Sequence, residues 1–133
     1  MPRRHRAKNN YGRQQFMETP LGPRGRTVTA YERGTSGKAY VRYLPKGVPA
    51  GSPGATHLIV ATYPFPNALP RLKAIAKGRA VTLPGGVFAY PDPAYPKSVH
   101  MAFPGSNYQV EVYDPSPAFS RKIALSGAVQ LVQ

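Results

Sequence analysis

The chain has 133 residues, 41% of them hydrophobic, with 16 prolines, 13 glycines and no cysteine, and its 18 lysines and arginines outweigh 5 aspartates and glutamates for a formal charge of +13 at pH 7. That length predicts one domain plus an extension, the apolar fraction excludes wholesale disorder, and the missing cysteine excludes disulfides, zinc–thiolate centres and thiol nucleophiles. No apolar run approaches the roughly 20 residues of a membrane-spanning helix, and no apolar segment follows the basic start, so no secretory signal is expected.

Residues 1–26 lack a periodic apolar pattern and are expected to form an extended basic arm. RRHRAK (3–8) concentrates Arg3, Arg4, Arg6 and Lys8, and Arg13 follows. TPLGPRGR (19–26) carries two prolines and two glycines. Proline fixes its own φ and pushes the preceding residue to extended geometry. This segment is therefore expected to be neither helix nor paired central strand. The domain proper is assigned to 27–133. TVTAYER (27–33), GTSG (34–37) and KAYVRYL (38–44) read as a hairpin, two β-rich runs around a short loop. Period two sends Lys38, Tyr40 and Arg42 to one face, and Ala39, Val41 and Tyr43 to the other. PKGVPAGSPGAT (45–56) reads as loop. HLIVATY (57–63) is almost continuously apolar, as a strand covered on both faces requires.

A helix is predicted next, with Asn67 as its cap, Pro70 in the first turn and Gly78 in the left-handed position past the end. Leu69, Leu72, Ile75 and Ala76 form its predicted apolar stripe. Arg71, Lys73 and Lys77 form its basic side. AVTLPGGVFAY (80–90) reads as two short strands around a turn, with Gly85 and Gly86 at positive φ. PDPAYPK (91–97) is a rigid proline loop. SVHMAF (98–103) and YQVEVYD (108–114) are strands around the turn PGSN. A second helix is predicted at 117–126, capped by Ser116, opened by Pro117 and stopped by Gly127. AVQLV (128–132) is the last strand. The pattern predicts an α+β fold: a small, mainly antiparallel sheet domain of about seven strands with two short helices and the arm.

Acid–base and nucleophilic catalysis need positioned ionisable groups. Glu18 lies in the arm, Glu32 in the hairpin, Asp92 between two prolines and Asp114 directly before Pro115. Glu111 sits in an alternating strand, where the period predicts an outward position. His5 belongs to the basic run, while His57 and His100 sit at or in strands. The best catalytic candidate is a triad of His100, Asp114 and a serine, and no G-x-S-x-G elbow supports it. Metal-binding histidine spacing, a Walker loop and a dinucleotide fingerprint are all absent from the sequence. The expectation is a protein that is not an enzyme, with no cofactor, metal or small-molecule substrate.

The charge balance points to polyanions. Three candidate contacts follow. One is the arm, through Arg3, Arg4, Arg6, Lys8 and Arg13. Another is the strand face of Lys38, Tyr40 and Arg42, where a ring stacks on bases and cations meet the backbone. The third is the helix side of Arg71, Lys73 and Lys77. No RNP-type, KH-type or zinc-finger signature is present, so sequence-specific readout is not expected. Protein contact is the rival role. Tyr11, Phe16 and Met17 in the arm, and Tyr63, Phe65, Tyr90 and Tyr95 in YPFPNALP (63–70) and FAYPDPAYP (88–96), are of the residue types that interfaces favour.

In style the composition resembles a ribosomal protein or a minor phage virion protein: a basic arm, a compact β-rich body and no cysteine. That likeness transfers no residues. The expected function is a non-enzymatic structural component of a large assembly, with a virion head, capsid-associated or neck protein ahead of a ribosomal one. Its arm would clamp neighbouring subunits and contact nucleic acid non-specifically. The expected location is a virion or an intracellular particle, with no membrane partner. The alternative is a free single-stranded nucleic-acid-binding module.

Overall fold

Period-two alternation builds most of the described chain. The computed structural model describes residues 4–8, 14–18, 27–33, 37–45, 47–49 and 57–132, with side chains for 37–44, 47–49 and 57–130. In chain order the strands are β1 (Arg4–Lys8), β2 (Gln14–Glu18), β3 (Thr27–Arg33), β4 (Ala39–Pro45), β5 (Leu58–Pro64), β6 (Val81–Thr82), β7 (Phe88–Tyr90), β8 (Ser98–Ala102), β9 (Tyr108–Tyr113) and β10 (Val129–Val132). The helices are α1 (Ala68–Ala76) and α2 (Pro117–Leu125). Seven strands make one sheet in the order β3-β4-β5-β9-β8-β7-β6. Every pairing in it is antiparallel. This is the α+β class that the pattern predicts, and the apolar run at 57–63 is an interior strand.

Two segments inside residues 1–26 take strand geometry. β1 pairs antiparallel with β2, and β2 also pairs with β10, giving a second sheet in the order β1-β2-β10. Phe16 stands opposite Gln130 and Met17 opposite Val129. Residues 14–18 are thus hydrogen-bonded to the chain's own last strand. The physical reason is the edge of β10, whose backbone N–H and C=O groups need partners that an extended segment supplies. TPLGPRGR at 19–26 lies outside the described residues.

The register divides the seven-stranded sheet into two faces. Val41, Val60, Val112 and Val99 stand opposite one another across β4, β5, β9 and β8. Beside them run Thr62, Val110, Met101 and Ala89. On this valine face the core closes with Ile123 and Ala124 of α2 and Val129 of β10. Each fully buried Val, Leu or Met there contributes about 1.5–3 kcal/mol by leaving water. On the opposite, tyrosine face, Ala68, Leu72 and Ala76 of α1 pack against Phe88, Tyr90 and Ala102.

One helix matches expectation and the other departs from it. α2 follows the sequence signals: the Ser116 side chain accepts from the Phe119 N–H at 3.3 Å, Pro117 opens the helix, and Gly127 takes φ 81°. In α1 the buried stripe is Ala68, Leu72 and Ala76, flanked by half-buried Leu69. Ile75, assigned to that stripe, is 51% exposed. The i, i+4, i+8 row that faces the sheet begins at Ala68, and position 75 turns away from it. Asn67 makes no side-chain cap bond and adopts the left-handed region at φ 56°, which Asn tolerates better than most residues. Instead its N–H donates to Asn107 Oδ1 at 2.9 Å. The left-handed exit also begins one residue early, at Lys77 (φ 50°), before Gly78.

Candidate functional site

The candidate site is the part of the tyrosine face that α1 leaves uncovered. Period two turns Tyr40 and Arg42 of β4 to this face, as expected, while Ala39, Val41 and Tyr43 are buried behind it. Antiparallel register adds residues from three more strands. Across the sheet Tyr40 aligns with Ala61, Glu111, His100 and Tyr90. The next row aligns Arg42 with Ile59, Tyr113 and Ser98. The third aligns Tyr63 with Gln109 and Ala102. Tyr40, Arg42, Tyr63 and Tyr113 are half-exposed, and Ile59 and Ala61 are buried between them.

Cations rest on rings along this side. The Arg42 guanidinium lies 5.7 Å from the Tyr40 ring centre, and Lys73 Nζ lies 5.5 Å from that of Phe88. Arg71 is 4.0 Å from the Phe65 ring centre and also donates from Nη1 to the Pro66 carbonyl at 3.3 Å. Such contacts hold a flexible cation in place without neutralising it.

A polar trio occupies the middle of the face. Ser98 Oγ donates to Glu111 Oε2 at 2.5 Å, and His100 Nε2 lies 3.8 Å from Glu111 Oε1. Glu111 therefore stands between serine and histidine, so the hydroxyl hydrogen bond goes to the carboxylate. A nucleophilic triad requires the opposite order, with histidine between hydroxyl and acid. The Tyr63 phenol pKa is pushed well up, first by burial and then by the Glu111 and Tyr40 charges. The Tyr43 phenol, on the buried side, is pushed up by burial. The suggested His100–Asp114 pair does not form. Asp114 is 1% exposed beyond the end of β9, and its Oδ2 accepts from the Ser116 N–H at 2.9 Å. It shapes the entry to α2, three positions along the chain from the residue that His100 faces.

The remaining candidates fall in several places. Lys38, Arg71, Lys73 and Lys77 are exposed. Arg4, Arg6 and Lys8 fall in β1, and Phe16 and Met17 in β2, as backbone positions only. Arg3, Tyr11 and Arg13 lie outside the described residues. Of the aromatic contact candidates, Tyr63 and Phe65 are half-buried and Tyr95 is 65% exposed. Tyr90 is corrected: at 3% exposure it packs beneath α1 and has almost no surface to offer a partner.

Two clefts border these surfaces. One, of about 300 Å³, lies where the 94–98 segment meets Tyr113 at the edge of the tyrosine face. The other, of about 690 Å³ and mainly apolar, opens among Leu83, Val87, Phe103, Leu125 and Val129 on the valine-face side. Sequence reasoning missed Tyr113 and Lys97 as site residues. The signal for Tyr113 is its shared parity with Gln109 and Glu111. Nothing local places Lys97 beside it. Among the described residues no group of His, Asp and Glu is set to hold a metal, and no helix is long and apolar enough to cross a membrane. Comparison with protein-family models, curated proteins and solved structures finds no match to this chain.

Proposed function

We propose that this chain is a non-enzymatic structural subunit of a large, nucleic-acid-containing assembly, held among neighbouring proteins and polyanion. A virion head, capsid-associated or neck component is preferred to a ribosomal one. The observation that carries the reading is the sign of the exposed charge. Lys38, Arg71, Lys73, Lys77, Arg79, Lys97, Arg121 and Lys122 are all exposed, and they occur on both the α1 and the α2 side. The three carboxylates with described side chains are buried or half-buried, and each is engaged locally. Asp92 Oδ1 accepts from the Ala94 N–H, Glu111 from Ser98, and Asp114 from the Ser116 N–H. A body whose fully exposed charges, among the described side chains, are all positive and lie on two sides repels its own copies and attracts polyanions from more than one direction. The exposed prolines and Tyr95 of the 93–96 loop add a weakly charged patch suited to a protein neighbour.

The test is isolation from the native source, with and without nuclease. The expected result is sedimentation with a large particle, and retention of protein neighbours after nuclease. Sedimentation as a free 14.4 kDa chain before any nuclease treatment would overturn the reading. The half-exposed rings of the tyrosine face favour a second reading, a free single-stranded nucleic-acid-binding module. It is distinguished by complete release on nuclease treatment.

A further inference from the structure

We infer that the tyrosine face is a docking surface for single-stranded nucleic acid, with one base seated in the cleft between Tyr95 and Tyr113. The inference rests on the polyanion-contacting reading above and assigns that contact a place and a substrate class. Three features that are far apart in sequence meet on this side of the sheet.

The cleft comes first. Its volume of about 300 Å³ is at the lower end of small-molecule sites, a scale that fits a flat heterocycle. Tyr95 and Tyr113 supply two rings, and Lys97 adds a cation beside them. Tyr95 is presented by a stiff loop. The Tyr95 N–H donates to the Asp92 carbonyl at 3.0 Å, the Tyr95 carbonyl accepts from the Ser98 N–H at 3.0 Å, and prolines stand at 93 and 96. A backbone already held in place leaves only the ring's own rotations to be fixed when a base stacks on it.

The path out of the cleft comes second. Tyr113 shares its cross-sheet row with Arg42, and Arg42 lies on the Tyr40 ring. Tyr63 stands on β5 two rows farther along. At about 4.8 Å between strands, the stretch from Tyr113 to Arg42 spans roughly 10 Å, room for more than one base. Base–ring stacking needs unpaired bases with open faces, which a duplex does not offer.

The third feature is the placement of opposite charge. Glu111 lies in the middle of the face, where it repels phosphate, while Lys38 and Lys97 are exposed nearer its margins. The backbone is therefore directed to the rim and the bases to the sheet. There the part-exposed Glu111 can accept from base amino groups, as carboxylates accept from cytosine.

The experiment measures fluorescence anisotropy of a labelled single-stranded oligodeoxycytidine, and of a duplex of equal length, with the full chain. Tighter binding of the single strand is expected. Tyr95→Ala is expected to weaken it roughly 5- to 150-fold, the range for losing one stacked base, and Tyr95→Phe to retain it. Tyr95 is exposed, so neither change threatens the fold. Lys97→Gln is expected to lower the salt slope by about one. Arg121→Gln with Lys122→Gln, on the α2 side, is expected to have a smaller effect than Tyr95→Ala. Equal binding of duplex, an unaffected Tyr95→Ala, or an equal loss from the α2-side pair would overturn the inference. If the oligonucleotide result is negative while the protein still sediments with a particle, this surface is wrong and the structural-subunit reading stands. If the chain sediments free while the oligonucleotide results are as expected, the structural-subunit reading is wrong and this surface stands.

Discussion

The two faces of the seven-stranded sheet are cut from the same strands, yet they end differently. On β9, Val110 and Val112 point one way, and Gln109, Glu111 and Tyr113 the other. Each face receives one nine-residue helix. A helix of that length is about 13–14 Å long, whereas seven strands at about 4.8 Å spacing span close to 29 Å. Neither helix can cover a face alone. The valine face gains Val129 of β10, which arrives with the second sheet. The tyrosine face has α1 mainly over β7 and β8, and its rings on β4, β5 and β9 stay half-exposed. Coverage, more than strand sequence, makes one face a core and the other a surface.

The sharpest way to break this comparison is to truncate one residue from each face. Met101→Ala, at 0% exposure on the valine face, is expected to cost about 2–5 kcal/mol. Tyr40→Ala, half-exposed on the other, is expected to cost less than half as much. Chemical denaturation measures both, and equal losses would mean that the tyrosine face is core as well.

A smaller effect compares the helices that do the covering. Ser116→Ala removes the side-chain cap of α2 and is expected to lower stability by about 1 kcal/mol. Asn67→Gly removes no cap bond from α1 and relieves a positive φ, so it is expected to be neutral or slightly stabilising. Thermal melts of the two variants should move in different directions or by clearly different amounts. A larger loss from Asn67→Gly would show that the Asn67 side chain has a role in the fold beyond this geometry.

The last effect is invisible at neutral pH. Burial raises the pKa of Tyr43 in the folded chain above its unfolded value. Below about pH 10 both states keep the proton and the stability is complete. Above it the unfolded chain releases the proton first, so stability falls as pH rises. Tyr43→Phe is expected to flatten that alkaline slope, measured as denaturation midpoint against pH. An unchanged slope in Tyr43→Phe would mean that the phenol is not shielded from water.

Local signals were strongest where a residue's own conformation decides the outcome. Pro117 with Ser116, Gly127 at the end of α2, Gly85 and Gly86 in the 84–86 turn, and the parity of 38–44 were all legible. They depend on φ, capping and alternation, which operate over a few residues. The reading failed where a distant segment intervened. Ile75 fits a helical stripe, but the row that faces the sheet is chosen by Phe88 and Tyr90. Asn67 resembles a cap, but Asn107, forty positions away, supplies the side-chain bond. Tyr90 sits in an aromatic–proline stretch that reads as contact surface, until α1 closes over it.

The sequence by itself determined the class of fold, the strand parities, the helix signals of α2 and a charge balance that favours polyanions. These follow from side-chain shape, backbone restriction and composition. Only the tertiary structure decided which parity stays half-open, because that depends on helix length against sheet width. It also decided that Tyr40, Tyr63, Tyr95 and Tyr113 share one side with Arg42 and Lys97. Strand pairing and loop packing join residues up to 73 positions apart, and no local rule specifies which strands become neighbours.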